Sequence, residues 1–205
     1  MIRPGERGTA LESLPTVDLL PRARDGSSGA LEELFRRYLP RVRAVVRLRL
    51  GAGVRSAFDS TDLVQEVLAE AVRLLDRFED RGQGSFIAWL AQIAQYRIGA
   101  HARYLAARPA LGAPEPEPHQ VGPAADPSPS QDLIQAERTE LVEEAVRALP
   151  ELDRRVVIER AYVGVTWEEV ARACELPSPE AARARFSRAK QKLGALLRKL
   201  DDEGE

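Results

Sequence analysis

The sequence predicts an all-α protein made of two small helical domains, joined by a proline-rich flexible linker, with a helix-turn-helix in the C-terminal domain. Three observations support this prediction. Alanine, leucine, arginine and glutamate dominate the 205 residues and aromatic residues make up only 5%, which favours helix over sheet. Apolar residues recur at helical spacings in several segments. Seven of the fourteen prolines lie between Pro109 and Pro129, and they divide those segments into two groups.

The chain is therefore expected to have five parts. They are an N-terminal extension at residues 1–24, a first domain at 25–107, a linker at 108–132, a second domain at 133–200 and an acidic tail at 201–205.

In the first domain, amphipathic segments are expected to form helices over residues 30–51, 60–78 and 85–107. Pro40 would kink or break the first of these helices. Asp59 or Ser60 can cap the second, and Ser85 can cap the third.

In the second domain, helices are expected over residues 132–148 and from residues 151, 166 and 178 onward. Pro150 precedes the second of these helices. Thr166 and Glu169 have the spacing of a capping box. Ser178 and Pro179 suit the cap and the first residue of the last helix.

The composition argues against several classes of protein. The single cysteine, Cys174, excludes an intrachain disulfide, and with only His101 and His119 as further ligands no structural metal is expected. The sequence has no Walker A loop, dinucleotide fingerprint or His-Glu-x-x-His pattern, so no catalytic residue and no cofactor are expected. With no signal peptide and no apolar stretch of membrane-spanning length, the protein is expected in the cytoplasm without a membrane partner.

Positive charge is concentrated although the net charge is −2. Seven arginines and no acid lie between Arg36 and Arg55, and seven basic residues and no acid lie between Arg183 and Lys199. A solvated helix face is the plain interpretation of each run, and a nucleic-acid contact is the functional one.

The last helix carries the most informative pattern. One face is apolar, with Ala182, Phe186, Ala189, Leu193, Leu197 and Leu200. The opposite pole is small and polar, with Glu180, Ala184, Ser187, Arg188 and Gln191. Cations flank that pole, with Arg183 and Lys190 on one side and Arg185 and Lys192 on the other. Such a helix suits a major groove, and the short preceding helix and tight turn predict a helix-turn-helix. A helical hairpin with a basic surface is the alternative.

The helix that contains Asp62 has a different pattern. Its core stripe is predicted to be Val64, Val67, Leu68, Ala71, Leu75 and Phe78. Glu66, Glu70 and Arg73 are expected to point outward, with Leu63 and Gln65 on the flanks. A leucine beside exposed acids suits docking onto a basic protein surface, although the same pattern also fits a solvated face.

The third helix combines an apolar stripe with cations. Phe86, Trp89, Leu90 and Ile93 form the stripe, and Trp89 alone is more often a core residue than a functional one. Arg97, His101 and Arg103 add positive charge on other faces. Exposed aromatic residues beside cations can stack on unpaired bases.

Two groups of motifs resemble a known family. Asp62-Leu63-Val64-Gln65-Glu66-Val67, then Phe78 and Ser85-Phe86-Ile87-Ala88-Trp89-Leu90-Ala91-Gln92-Ile93-Ala94, resemble region 2 of extracytoplasmic-function (ECF) sigma factors. Ala148-Leu149-Pro150, Val165-Thr166-Trp167-Glu168-Glu169-Val170-Ala171 and Phe186-Ser187-Arg188-Ala189 resemble their region 4. Order and separation match, and the similarity covers roughly residues 25–107 and 135–200.

The resemblance implies a sigma factor with core RNA polymerase and promoter DNA as partners, and it leaves an anti-sigma partner open. In the family, region 2 grips the polymerase clamp, recognises the minus-ten element and helps to open the duplex, and region 4 sits on the polymerase flap and reads the minus-thirty-five element. By motif position, the implied polymerase contacts are Asp62, Leu63, Gln65 and Glu66. The implied minus-ten contacts are Gly82, Gln83, Gly84, Ser85, Trp89, Tyr96, Arg97 and Arg103. The implied minus-thirty-five contacts are Arg183, Arg185, Ser187, Arg188, Lys190 and Lys192.

The sequence departs from the family pattern at two places. Tyr96 and Ala100 replace the Asn and Asp of the family's N-x-x-x-D pattern, and Glu175 replaces the usual glycine of the helix-turn-helix. The first departure predicts a minus-ten preference that rests on the loop at residues 80–86 and is looser along the third helix. Tyr96 either stacks on bases or packs against a neighbouring helix. The second departure places a glutamate where the turn can favour a positive φ.

Two other functions compete with a sigma factor. One is a helix-turn-helix regulator that acts without polymerase. The motif at residues 62–66 argues against this alternative. The other is a degenerate sigma homologue that binds only a partner protein, an alternative that Tyr96 and Ala100 leave open.

Overall fold

The computed structural model describes residues 11–55, 57–107 and 131–203. The chain divides into two compact units, one ending at Ala107 and the other containing the remainder. Every regular element among the described residues is helical, so the all-α prediction is confirmed. Most of the predicted linker, residues 108–130, lies outside the described residues.

The first unit contains five α-helices within its described part. They are α1 (Thr16–Arg24), α2 (Ser28–Arg49), α3 (Ala52–Arg55), α4 (Ser60–Leu74), which ends in a 3₁₀ turn (Leu75–Arg77), and α5 (Ser85–Ala107). The Asp59 carboxylate caps α4 by accepting a hydrogen bond of 2.7 Å from the amide of Thr61, as predicted.

The core of this unit is formed mainly by α2, α4 and α5. Fully buried aliphatic side chains from the three helices meet there, among them Leu34, Val46, Val67, Ile87 and Leu90. Four aromatic residues, Tyr38, Phe78, Phe86 and Trp89, pack as a cluster with ring centroids 5.0–5.6 Å apart.

The structure adds detail to two predictions for this unit. Residues 16–24 of the predicted extension form α1, which buries Leu19 and Leu20 in the same core. Of the two effects expected of Pro40, a break is excluded, since α2 runs from Ser28 to Arg49. Pro40 lies on the exposed side, while Leu34 and Val42 on either side of it are buried, so packing holds both halves of α2 in place despite the missing backbone donor.

The buried Glu33 carboxylate of α2 binds Arg37, and Arg37 in turn holds the beginning of the described chain against α2. Glu33 accepts hydrogen bonds from Arg36 at 2.7 Å and from Arg37 at 2.6 Å. Arg37 also donates to the carbonyl oxygens of Leu11 and Glu12. The hydrogen bond from Arg36 lowers the pKa of Glu33 to about 2, and the bond from Arg37 acts in the same direction. Burial of the carboxyl group opposes this shift.

The second unit contains four helices within its described part. They are α6 (Gln131–Ala148), α7 (Glu151–Val157) followed by a π-helical turn (Ile158–Val163), α8 (Trp167–Ala173) and α9 (Pro179–Glu203). Its core includes Val156, Val170, Cys174 and Ala182. Asp201–Glu203 of the predicted acidic tail continue α9.

Both predicted caps of this unit are confirmed. Thr166 and Glu169 form the capping box of α8, with each side chain bonded to the backbone amide of the other residue. The Ser178 hydroxyl accepts a hydrogen bond of 3.2 Å from the amide of Ala181 at the start of α9. None of the helices in the described ranges combines the length and the apolar character needed to cross a membrane.

Candidate nucleic-acid interface

The helix-turn-helix consists of α8, a turn at residues 174–178 and α9. Glu175 adopts a φ of 55°, which is the left-handed conformation expected where the family has glycine. The backbone amide of Leu176 donates a hydrogen bond to the carbonyl oxygen of Ala171 at 2.8 Å. The amide of Glu175 donates one to the carbonyl oxygen of Arg172 at 3.3 Å. These two bonds form a Schellman motif, so the turn is retained without its glycine.

On α9, five of the six predicted minus-thirty-five residues are exposed. Lys192 among them is paired with an acid of α7, and the other four make up one surface. This reader face consists of Arg183, Ser187, Arg188 and Lys190. Aromatic rings support two of its cations. The guanidinium of Arg183 lies 5.9 Å from the Trp167 ring and the Lys190 ammonium lies 5.4 Å from the Phe186 ring.

The other two predicted cations, Arg185 and Lys192, are held elsewhere. The Arg185 Nε atom lies 2.8 Å from one oxygen of Asp153, and the Lys192 Nζ atom lies 2.7 Å from the other. Both side chains are therefore engaged by α7, although 32% of the Arg185 side chain and 53% of the Lys192 side chain remain exposed. Their predicted contacts with DNA stay predictions. The flank opposite Arg183 and Lys190 is thus electrostatically compensated by the protein itself.

Asp153, which the sequence analysis did not single out, is the acid that binds both cations. Its side chain is only 3% exposed. A signal was present in the sequence, because Asp153 stands three and four residues before the buried Val156 and Val157 and therefore on the inner side of α7.

The glycine loop, residues 80–86, is ordered by one carboxylate. Asp80 Oδ1 accepts hydrogen bonds from the Gly82 amide at 2.9 Å and from the Ser85 hydroxyl at 2.7 Å. Gly82 and Gly84 have φ angles of 99° and 86°, which glycine adopts without strain. Gln83 is exposed between them.

The predicted cap role of Ser85 is wrong. The Gly84 carbonyl accepts the first helical hydrogen bond of α5, from the Ala88 amide, so Gly84 occupies the cap position. The Ser85 hydroxyl instead contacts Asp80 and accepts a hydrogen bond from the Arg81 amide, and it therefore fastens the loop to the helix.

The predicted minus-ten residues on α5 have unequal environments. Tyr96 is 68% exposed, so the alternative in which it packs against a neighbouring helix is excluded for this structure. Arg103 is exposed as well. Trp89 is half-buried in the aromatic cluster, where it contacts Phe78 and Phe86.

Arg97 lies between helices instead of facing outward. Its Nη2 atom is 2.6 Å from Oε2 of Glu70 on α4, and its Nη1 atom is 3.9 Å from Glu66. The Arg97 Nε atom is buried without a hydrogen-bond partner. The expectation that Glu70 points into solvent is therefore corrected, whereas the DNA contact of Arg97, whose side chain is 28% exposed, stays a prediction.

On α4, Asp62 and Gln65 are exposed, but Leu63 is not. Leu63 is only 2% exposed and belongs to the core, because the apolar stripe of α4 is wider than predicted and includes Leu63 as well as Val64 and Val67. Its predicted polymerase contact is thus corrected. Glu66 is half-exposed, with its Oε2 atom 3.0 Å from Nε2 of His101.

Comparison with known proteins finds two family models that match separate parts of the chain. Residues 34–108 match the family model for sigma-70 region 2, and residues 161–195 match that for a Myb-like DNA-binding domain. The solved structure of CnrH in complex with the cytosolic domain of CnrY has a similar fold, with a TM-score of 0.51 and 24% identity over 88% of this chain and 96% of that chain.

Two curated relatives are more similar in sequence. The ECF RNA polymerase sigma factor SigD of Mycobacterium tuberculosis is 33% identical over 148 residues, which are 72% of this chain and 68% of that protein. The ECF RNA polymerase sigma-E factor of Escherichia coli is 30% identical over 188 residues, which are 88% of this chain and 93% of that protein. The chain therefore belongs to the ECF family of RNA polymerase sigma factors.

Proposed function

We propose that this sigma factor acts in the cytoplasm without catalysis of its own, docking onto core RNA polymerase through α4 and contacting promoter DNA through the glycine loop, α5 and α9. The observation that carries the proposal is the helix-turn-helix, whose second helix presents Arg183, Ser187, Arg188 and Lys190 to solvent. A helix with hydroxyl and cationic side chains on its outer surface can contact base edges and phosphates in a major groove.

Run-off transcription tests the proposal as a whole. The full-length protein and core polymerase, incubated with genomic promoter fragments, should yield specific transcripts that neither component produces alone. Binding of the protein to the same fragments without polymerase, with no transcript in the mixture, would favour a regulator that acts by itself.

For polymerase docking, the proposed face of α4 consists of Asp62, Gln65 and the half-exposed Glu66. Acidic and amide groups on a helix surface complement a basic partner surface. Asp62→Lys should weaken binding to core polymerase by roughly thirtyfold, the scale of an interface residue contributing about 2 kcal/mol. Glu32→Lys on α2 is the charge-matched control, since Glu32 is an exposed acid away from this face.

Equal affinities of the wild type and a folded Asp62→Lys variant would contradict this assignment. Thermal stability must be measured alongside, because Asp62 lies in the first turn of α4, where a negative charge favours the helix.

For the minus-ten element, the proposal places the glycine loop and the exposed Tyr96 and Arg103 against the unwound strand. The positive φ at Gly82, where the space a Cβ would occupy is open, allows close approach of another group to the backbone. Gly82→Ala should therefore reduce duplex opening more than promoter binding, as followed by permanganate reactivity of unpaired thymines.

An anti-sigma partner is also proposed, since the fold is similar to that of CnrH, whose structure was solved with the cytosolic domain of CnrY. A partner of this kind would compete with core polymerase for the protein. Competition in a titration with labelled core polymerase would identify it.

A further inference from the structure

Asp153 joins two cations of α9 that stand two helical turns apart. Its side chain is 3% exposed, and each carboxylate oxygen accepts one charged hydrogen bond, at 2.8 Å from Arg185 and at 2.7 Å from Lys192. Because the two cations are seven residues apart on one helix, they lie on the same side of α9. One acid in α7 therefore holds two points along α9.

The ionised form of Asp153 is the one that this environment favours. Burial alone would raise the pKa of the carboxyl group, but the hydrogen bonds and charges of Lys192 and Arg185 lower it below its usual value. At neutral pH the carboxylate is thus charged and neutralised by its two partners.

The two sides of α9 are consequently unequal. Arg183 and Lys190 stand over aromatic rings and are exposed, and an aromatic ring leaves their charge available to another anion. Arg185 and Lys192, with side chains 32% and 53% exposed, differ from them in their partner and not in access to solvent alone. Both are bonded to a carboxylate, which competes directly with a phosphate for the same donors.

We propose that Asp153 is a positioning residue for DNA recognition: it withholds Arg185 and Lys192 from DNA phosphates and fixes the rotation of α9 so that the edge with Arg183, Ser187 and Lys190 enters the groove. The proposal rests on the proposed function of α9 as the helix that reads DNA. It assigns phosphate contacts to one flank of the helix and an internal, orienting role to the other.

Two charge-matched double variants test this assignment, each removing two positive charges from α9. Full-length protein bound to core polymerase is titrated with duplexes carrying a matched or a scrambled upstream element at several salt concentrations. The association constant K falls as salt rises, and each lost phosphate contact reduces the steepness of this fall in log K with log salt by about 0.9. A lower slope therefore means a weaker dependence on salt. Arg183→Gln with Lys190→Gln should lower the slope by about two, whereas Arg185→Gln with Lys192→Gln should leave it within about half a unit.

The outcomes separate this inference from the function on which it rests. An unchanged slope for the Arg183 and Lys190 pair would remove α9 from DNA and with it the proposed function. A slope reduced by about two for both pairs would leave that function standing and overturn the role of Asp153.

Loss of Arg185 and Lys192 leaves the buried Asp153 carboxylate without these two partners, and an uncompensated buried charge can unfold the second unit. The triple variant that adds Asp153→Asn removes this charge, and its slope should equal that of the wild type. A triple-variant slope lower by about two would overturn the proposal.

The single variant Asp153→Asn gives a readout that a merely structural residue would not move. Released Arg185 and Lys192 should steepen the slope by one to about two and raise affinity for scrambled DNA at least threefold, so that the ratio of matched to scrambled binding falls. Equal weakening on both DNAs at an unchanged slope would show that Asp153 only supports the fold.

Discussion

Arg97 of α5 and Glu70 of α4 form an ion pair with 2.6 Å between Nη2 and Oε2. A second link joins the same helices, because Glu66 lies 3.0 Å from His101. The helix proposed to dock onto polymerase is thus joined by charge to the helix proposed to contact the minus-ten strand. Substitutions in this pair are therefore expected to change the stability of the first unit.

Arg97→Gln is expected to lower the free energy of unfolding by about 1–3 kcal/mol, because it leaves the largely buried Glu70 without its closest partner on α5. Arg103→Gln, at an exposed position of the same helix, should change it by less than about 0.5 kcal/mol. Urea denaturation of both variants measures the difference. Equal stabilities would mean that the ion pair with Glu70 contributes nothing to the first unit.

Tyr96→Ala is expected to keep the wild-type melting temperature and to weaken open-complex formation, since Tyr96 is 68% exposed. Stacking of one base on an aromatic ring contributes about 1–3 kcal/mol. Tyr96→Phe preserves the ring and should restore duplex opening. A scan of the minus-ten bases with the wild type should show loose discrimination, and tight discrimination at every position would refute the idea of relaxed specificity.

Glu175→Gly is expected to stabilise the second unit by about 1 kcal/mol, because glycine adopts the left-handed conformation at φ 55° without the steric cost of a Cβ. Gly164→Ala is the matched control of opposite sign, since Gly164 has a φ of 81° with open space around it. Thermal denaturation should raise the melting temperature of the first variant and lower that of the second. A lower melting temperature for Glu175→Gly would show that the glutamate side chain itself stabilises the turn.

Glu33→Gln is expected to lower stability at neutral pH, and this difference from the wild type should shrink in acid. The pKa of Glu33 falls from 4.5 to about 2 in the fold, so its contribution is fully present above pH 4.5 and is lost as the pH falls toward 2. Glu32→Gln, at the exposed neighbouring position, is the control for the loss of one carboxylate elsewhere on α2. Melting temperatures of the variants between pH 2 and 7 test both statements about Glu33→Gln.

Local signals in the sequence predicted the helix ends in the second unit well. The capping box of Thr166 and Glu169 and the cap at Ser178 depend on residues three positions apart, and the structure confirms both. The left-handed turn at Glu175 was likewise foreseeable from its place in the motif.

Contacts between helices were not predictable from such patterns. Leu63 is buried because α2 and α5 together cover more of α4 than a single stripe would indicate. The partners of Arg97, Arg185 and Lys192 stand on other helices, 27 to 39 residues away in sequence. Charge counts along one helix therefore gave no sign that these cations are bonded to carboxylates of other helices.

Arg24 donates through its Nε atom to the carbonyl of Leu75 at 3.1 Å and through Nη2 to that of Phe78, just before the glycine loop begins. At the other end, Ser85 and Asp80 close the loop. The loop is anchored on both sides, so most of the conformational entropy that an unrestrained segment would lose on binding has already been lost during folding. A nucleotide strand that meets this loop encounters a preorganised backbone, on which the exposed side chains of Arg81 and Gln83 remain to be ordered.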